Sequence, residues 1–337
     1  MKSKIKILGA GLICVDVVHT NTGIQVMSGG SCANVISVLS QIGFNCSIMR
    51  AKHSDSFNVF LSETFSALGV NEVFYKHSNS ATPRIVEELS EDNHKFFTNC
   101  PFCGEKILNL RLPSESDLKH VINQVKEFDV FYSDRTSSGI RQIMRVMNEQ
   151  NGIVVYEPNS SRNVKGLLET AQYADIIKFS NDRVSVSLAE KIRTDNKRIK
   201  LIISTNGANG LSFSYRKPNG EMSNWISIPS TFRESVVDSS GAGDWLTAGF
   251  LSELLKEHCS FLEQLCEEKQ IMKMLEHAMR YSQLCCSVIG AQGIFYSSTY
   301  AKEFKELSKN ENYCELQSNN TFARQKGTCS FCLANIF

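Results

Sequence analysis

The chain has 337 residues, 36 of them Lys or Arg and 35 Asp or Glu, which leaves a formal net charge of +1. Its 42% apolar and 21% charged residues are those of an ordinary globular protein and exclude collagen, coiled coil and a disordered chain. The balanced charge advertises no nucleic-acid partner, and no stretch approaches the roughly 18 uninterrupted apolar residues of a membrane span.

Residues 1–16 join a basic start to an apolar run, as a secretory signal does. Asp16 breaks that run and no small-residue cleavage pattern follows, so a buried first strand over 4–8 is the better reading. The protein is therefore expected in the cytoplasm, a reducing compartment in which its 12 cysteines are buried or bind metal. Further strands are predicted at 46–50, 130–132, 153–156, 176–178 and 201–204, several of them continuously apolar as in strands buried on both faces. Helices are predicted at 33–42, 57–67, 115–127, 139–148 and 183–192, with two long ones after Gly243 and Lys269. Alternating β and α elements imply a mainly parallel sheet covered by helices on both faces. With no internal repeat or low-complexity linker, residues 1–308 read as one domain. Residues 81–98 depart from the rhythm as a hairpin, its arms at 84–89 and 95–98 around Glu91-Asp92-Asn93, placed to cover a ligand site. Residues 309–337 form a polar, irregular tail that needs something to tie it down.

The strongest motif is Asp238-Ser239-Ser240-Gly241-Ala242-Gly243-Asp244 before an apolar helical run. Small residues there let the backbone turn tightly, and free N–H groups with the positive end of the helix dipole make an anion site. A carboxylate at 244 stands beside the anion, placed to take a proton from a hydroxyl that attacks a phosphoryl group. Other motifs accompany it in order: Gly11 and Asp16 after the first strand, and Ser28-Gly29-Gly30-Ser31-Cys32-Ala33-Asn34-Val35. Then come Glu157-Pro158-Asn159-Ser160-Ser161-Arg162 and Ser204-Thr205-Asn206-Gly207-Ala208-Asn209-Gly210.

Together these segments, over roughly residues 4–295, resemble the signatures of the ribokinase-like (PfkB) carbohydrate and nucleoside kinases. The resemblance implies a three-layer α/β/α sandwich with a mainly parallel central sheet and a small β lid. It also implies transfer of the γ-phosphoryl group of ATP, with Mg²⁺, to a hydroxyl of a small sugar or nucleoside. Asp244 would be the general base and Gly241, Ala242 and Gly243 the anion hole. Asp16, Gly29, Gly30 and Asn34 would hold the acceptor, and Asn181, Thr205, Gly207 and Gly210 the nucleotide. Asp238 and Ser240 match the place where many relatives bind a monovalent cation such as K⁺. A homodimer is compatible with the family.

Three departures qualify the resemblance. Val184 stands where the family's Asn-x-x-Glu motif has the glutamate that organises water around Mg²⁺, leaving Asp182 or the ATP phosphates to hold the metal. The stretch from Asp16 to Gly29 is short, so the hairpin at 81–98 is expected to supply much of the lid, with His19 either exposed or reaching the acceptor. Met279 falls where relatives often carry an asparagine near adenine, to pack either on a base or in the core. The missing glutamate motivates an alternative: a fold that binds ligand but turns over weakly or not at all.

Cys100-Pro101-Phe102-Cys103-Gly104 reads as a zinc knuckle, and Cys329-Ser330-Phe331-Cys332 repeats the C-x-x-C near the chain's end. Four thiolates make a closed tetrahedral structural Zn²⁺ site with no open position for catalytic water, and such a site would tie the tail to the loop after the hairpin. Neither pair has the thioredoxin-like setting of a redox motif. Lys95, Lys106 and Arg111 alone lie nearby, too few for a phosphate-tracking patch.

Overall fold

A computed structural model describes residues 5–90, 93–230, 236–256, 263–310, 313–317 and 329–333. The elements begin with β1 (Lys6–Gly9), β2 (Cys14–Thr20), β3 (Gly23–Gly29), α1 (Ser31–Ile42), β4 (Asn45–Lys52), α2 (Ser56–Ala67) and β5 (Asn71–His77). They continue with β6 (Arg84–Ser90), β7 (Asn93–Phe97), β8 (Val130–Ser133), α3 (Ser138–Glu149), β9 (Ile153–Tyr156), α4 (Val164–Ala171) and β10 (Ile176–Ser180). The last are α5 (Val186–Asp195), β11 (Leu201–Thr205), β12 (Leu211–Tyr215), β13 (Ile226–Ile228), α6 (Ala242–Leu254), α7 (Glu268–Cys285) and α8 (Ser298–Ser308).

Nine strands form the central sheet in the order β13-β12-β11-β10-β9-β8-β1-β4-β5. All pair in parallel except β12 and β13, which add antiparallel at one edge. Strands such as Ile153–Tyr156 are buried throughout because helices cover both faces. One core cluster joins Ile7, Val35, Trp245, Leu275 and Phe304 on one side; the other joins Leu8, Ile143, Leu167, Leu188 and Ile202. Neighbours Ile7 and Leu8 fall in different clusters because successive side chains of a strand point to opposite faces. The strand order reverses at β1, which lies between β4 and β8. The carboxyl ends of strands at such a switch point are where open α/β sheets bind ligands.

A second sheet, β3-β2-β6-β7, supplies the lid. The hairpin at 84–97 is half of it, and Glu91 and Asp92 of its expected turn lie outside the described residues. The other half is a hairpin that the short stretch from Asp16 to Gly29 did not lead one to expect. β2 and β3 pair antiparallel from Cys14↔Gly29 to Thr20↔Gly23, and β2 pairs in parallel with β6. An aspartate in mid-strand and a short connection concealed this hairpin.

The helix expected at 115–127 is a second correction. Pro113 precedes turns closed by i+3 bonds (Leu118 N to Glu115 O, 3.3 Å; Val121 N to Leu118 O, 2.9 Å), ending in a 3-10 helix over Ile122–Glu127. Buried Leu118, Val121 and Val125 carry an apolar spacing that this tighter winding also satisfies, and β-branched Val121, Ile122 and Val125 weaken an α-helix. The helix expected from 183 starts instead at Val186, where Ser185 caps the Leu188 N–H. Among the described residues no helix is long and apolar enough to cross a membrane.

Candidate active site

The loop 236–241 enters α6 through Gly241, whose φ of +77° suits glycine. A side chain there would meet the Ala291 Cβ at 2.3 Å. Asp238, buried, clamps the loop: its Oδ1 accepts the Ser240 N–H at 2.8 Å and its Oδ2 the Gly290 N–H at 2.8 Å. The first-turn N–H groups of α6 have no intrahelical acceptor and stand at the positive end of its dipole.

Asp244 lies in that first turn and is buried. Its Oδ2 accepts a hydrogen bond from Asn34 Nδ2 at 2.8 Å, and Asn34 Oδ1 accepts one from Gln292 Nε2 at 3.2 Å. Gln292 Oε1 in turn accepts the Ser28 hydroxyl. This chain joins the anion loop to α1 and to the Gly29-Gly30 turn. Burial, then the charge of Glu157, pushes Asp244 up to about 6, against the opposing pull of Lys178 and the Asn34 hydrogen bond. At neutral pH it remains mostly a carboxylate, basic enough to accept a proton.

Beneath α6 lies a buried ion pair. Lys178 Nζ donates to Glu157 Oε1 and, at 2.8 Å, to the Gly243 carbonyl. Glu157 Oε2 accepts from Tyr132 Oη at 3.1 Å and from Thr247 Oγ1 at 2.9 Å. Lys178 thus fixes the turn that carries Asp244. Neither residue of the pair was assigned a role from sequence. The available signal was a lysine inside a strand otherwise buried on both faces.

Asp16, buried on β2, is pushed well up by burial and then by Glu87. A Cβ at Gly29 would fall 1.8 Å from Asp16 Oδ2, so glycine there makes room for the carboxylate. Gly30, at φ +91°, turns the chain into α1. Asp16, Gly29, Gly30 and Asn34 are thus brought to one place, within electrostatic reach of Asp244. Sequence reasoning missed two lid residues that join them. Glu87 Oε2 accepts from Ser240 Oγ at 3.3 Å and lies 3.1 Å from His94 Nε2, while His94 Nδ1 is 3.8 Å from Asp238 Oδ1. The Ser240 hydroxyl thereby faces the lid.

The nucleotide candidates gather at the carboxyl ends of β10 and β11. Asn181 N donates to Thr205 O at 3.0 Å and its Nδ2 to Asn206 Oδ1 at 2.9 Å. Gly207 and Gly210 turn with φ of +50° and +96°, and Asn206, Gly207, Ala208 and Asn209 are exposed. Val184 is buried in the core, whereas Asp182 is exposed. Met279 fills the core. His19 is spent elsewhere: its Nε2 lies 2.8 Å from the Phe331 carbonyl.

A family model described as pfkB family carbohydrate kinase matches residues 9–296. The chain belongs to that family. It is accordingly a carbohydrate or nucleoside kinase, an ATP-using phosphotransferase with an alcohol acceptor, as the family is. This kinase is 23% identical to the fructokinase of Escherichia coli over 317 residues, 86% of this chain and 95% of that one. It is 23% identical to a probable fructokinase-5 of Arabidopsis thaliana over 85% of this chain and 92% of that one. A nucleoside kinase of Methanocaldococcus jannaschii matches at 23% over 70% and 76%. Among solved structures, a fructokinase with bound ATP from Xylella fastidiosa superposes with a TM-score of 0.70 at 18% identity, covering 91% of this chain and 100% of that one. A fructokinase of Vibrio cholerae O395, in a fructose-, ADP- and potassium-bound form, gives 0.66 at 18% identity over 90% and 99%. These likenesses are to the ribokinase fold, with its large mainly parallel sheet and small second sheet.

Proposed function

We propose that this kinase transfers the γ-phosphoryl group of ATP to the primary hydroxyl of a neutral sugar or nucleoside held between Asp16 and Asp244. The observation that carries this reading is Asp244 itself, a buried carboxylate raised to about 6 in the first turn of α6, which the chain enters through Gly241, Ala242 and Gly243. Asp244 takes the hydroxyl proton as the acceptor oxygen bonds to the γ-phosphorus and the bond to the ADP oxygen breaks. The N–H groups of residues 241–243 receive the charge that builds on the transferred group. Asp16 and Asn34 orient the acceptor, Asp16 by accepting from its hydroxyls, and the Gly29-Gly30 turn lets the backbone approach. Asn181, Thr205, Gly207 and Gly210 form the rim on which the nucleotide lies. Mg²⁺ would come with the ATP phosphates, which it neutralises, with Asn181 and exposed Asp182 as the polar groups at the end of β10. By likeness to the potassium-bound fructokinase, we assign a monovalent cation beside Asp238 and Ser240.

The four cysteines fit a structural Zn²⁺. Their sulfurs all lie within 4.8 Å of one another, with Cys100 to Cys329 at 3.8 Å and Cys103 to Cys332 at 3.5 Å. Bonds of about 2.3 Å to zinc place tetrahedral sulfurs roughly 3.8 Å apart.

ADP formation and product mass against a panel of sugars and nucleosides test the kinase reading. An acceptor should raise turnover in wild type and be converted to its monophosphate. Ligands that bind, shown by thermal shift, while none is phosphorylated would favour the weak or non-catalytic alternative that Val184 motivates.

A further inference from the structure

What the cysteine cluster grips is the reverse side of the lid. Its two C-x-x-C turns share one backbone. Gly104 N donates to Cys100 O at 3.0 Å and has φ of +73°; Leu333 N donates to Cys329 O at 2.9 Å and has φ of +56°. A leucine rarely adopts that conformation, and it persists only where the surroundings impose it. Two matched turns presenting four sulfurs to one point supply such a constraint.

Between the cysteines of the second turn stands Phe331, buried at 6% exposure. Its ring stacks on His19 at 4.9 Å and meets Phe97 edge-on at 5.2 Å and Phe102 at 4.9 Å. Its carbonyl accepts from His19 Nε2 at 2.8 Å. His19 lies on β2 and Phe97 ends β7, so Phe331 bridges two strands that have β6 between them.

The register shows which face is gripped. Asp16 pairs with Ile85, His19 with Glu88, Glu87 with Phe96 and Val86 with Phe97. Side chains alternate along each strand, so Asp16, Ile85, Glu87 and Phe96 share one face of the lid. His19, Val86, Glu88 and Phe97 share the other. The acceptor face and the gripped face are thus opposite sides of the same strands, and His19 is three residues from Asp16 on β2.

We propose that the metal-loaded cysteine centre is a back-strap of the lid, with Phe331 and His19 as positioning residues that set acceptor affinity. Metal binding fixes the tail turn, Phe331 then locks β2 to β7, and the lid holds Asp16 and Glu87 toward the anion loop. The inference rests on the metal and kinase readings above, and the experiment separates the three.

Full-length wild type, Phe331→Ala and Cys329→Ser/Cys332→Ser are compared for zinc content, amide hydrogen exchange and steady-state kinetics. Zinc should be present in wild type and Phe331→Ala and lost from the cysteine variant. Exchange should speed up over residues 14–29 and 84–97 in both variants while 176–205 and 242–254 stay protected. If the closed lid population falls to about a tenth, acceptor KM rises roughly tenfold while kcat and the KM for ATP stay within about twofold. A Phe331→Ala protein that keeps its zinc and matches wild type in lid exchange would overturn the proposal, leaving the centre to tie down the tail alone. Zinc-free wild type would remove the metal while Phe331→Ala still tested the strap. A protein that phosphorylates nothing would remove the kinase reading while the exchange data still decided.

Discussion

The two sides of the proposed active site are built by different means. The phosphoryl side, at the first turn of α6, is anchored from below by the buried Lys178–Glu157 pair and clamped by Asp238, so that charges and backbone groups leave it little freedom. The acceptor side is carried by a four-stranded sheet held by backbone pairing, one Glu87–His94–Ser240 latch at the front and aromatic contacts to the tail behind. Chemistry needs a fixed donor geometry when the charge develops, whereas a cover must open to admit its ligand. Damage to the first side should therefore appear in stability and kcat, and damage to the second in acceptor KM.

The sharpest break comes from Lys178→Met. It strands the Glu157 carboxylate beneath α6, and losing one partner of a buried pair costs about 3–5 kcal/mol. Denaturant melts should show that loss, with much of it recovered in Lys178→Met/Glu157→Gln. Equal destabilisation of the double variant would mean that the pair does not act as a unit.

Asp244 offers a second, pH-dependent break. Its pKa of about 6, against 3.8 for the free side chain, means that the folded protein disfavours the ionised form. The resulting penalty is absent below about pH 4, grows as pH rises through 6 and is complete by about pH 7.5. That rise corresponds to about 3 kcal/mol. Asp244→Asn should thus be more stable than wild type by up to that amount at pH 7.5 and indistinguishable from it near pH 4. In wild type, kcat/KM should fall below about pH 6 as the base is protonated.

The smallest effect sharpens the comparison from the lid. Glu87→Gln keeps a hydrogen-bond acceptor for Ser240 and removes one charge facing Asp16, so kcat should hold within about twofold while acceptor KM changes severalfold, a difference of roughly 1 kcal/mol. A drop in kcat with KM unchanged would place Glu87 on the chemical side instead.

How much of this was legible in the sequence follows the same division. That the 238–244 loop and the Gly29–Asn34 segment meet, as Asn34 and Asp244 do, was legible because tight turns and close backbone approach demand small residues in a fixed order. The central strands were legible because burial on both faces leaves continuous apolar runs. Lys178 and Glu157 were not, since a buried pair consists of two residues far apart in sequence with no periodicity to reveal it. The β2–β3 hairpin was hidden by Asp16 in mid-strand, a residue that local propensity assigns to a loop. Gln292, Glu87 and His94 join the site only through tertiary packing of loops and lid. The cysteine spacing pointed to four sulfurs at one place, which the structure brings within 4.8 Å of one another, but nothing in it announced that Phe331 would lie against His19.

The central claim is that Asp244 is the base of a phosphoryl transfer. A single-turnover assay with radiolabelled ATP and the best acceptor, comparing wild type with Asp244→Asn, tests it most directly. The account predicts acceptor binding within about threefold of wild type and a transfer rate lower by roughly 10²–10⁴-fold, the range a general base contributes. A variant that binds its ligands and transfers the phosphoryl group at the wild-type rate would contradict it.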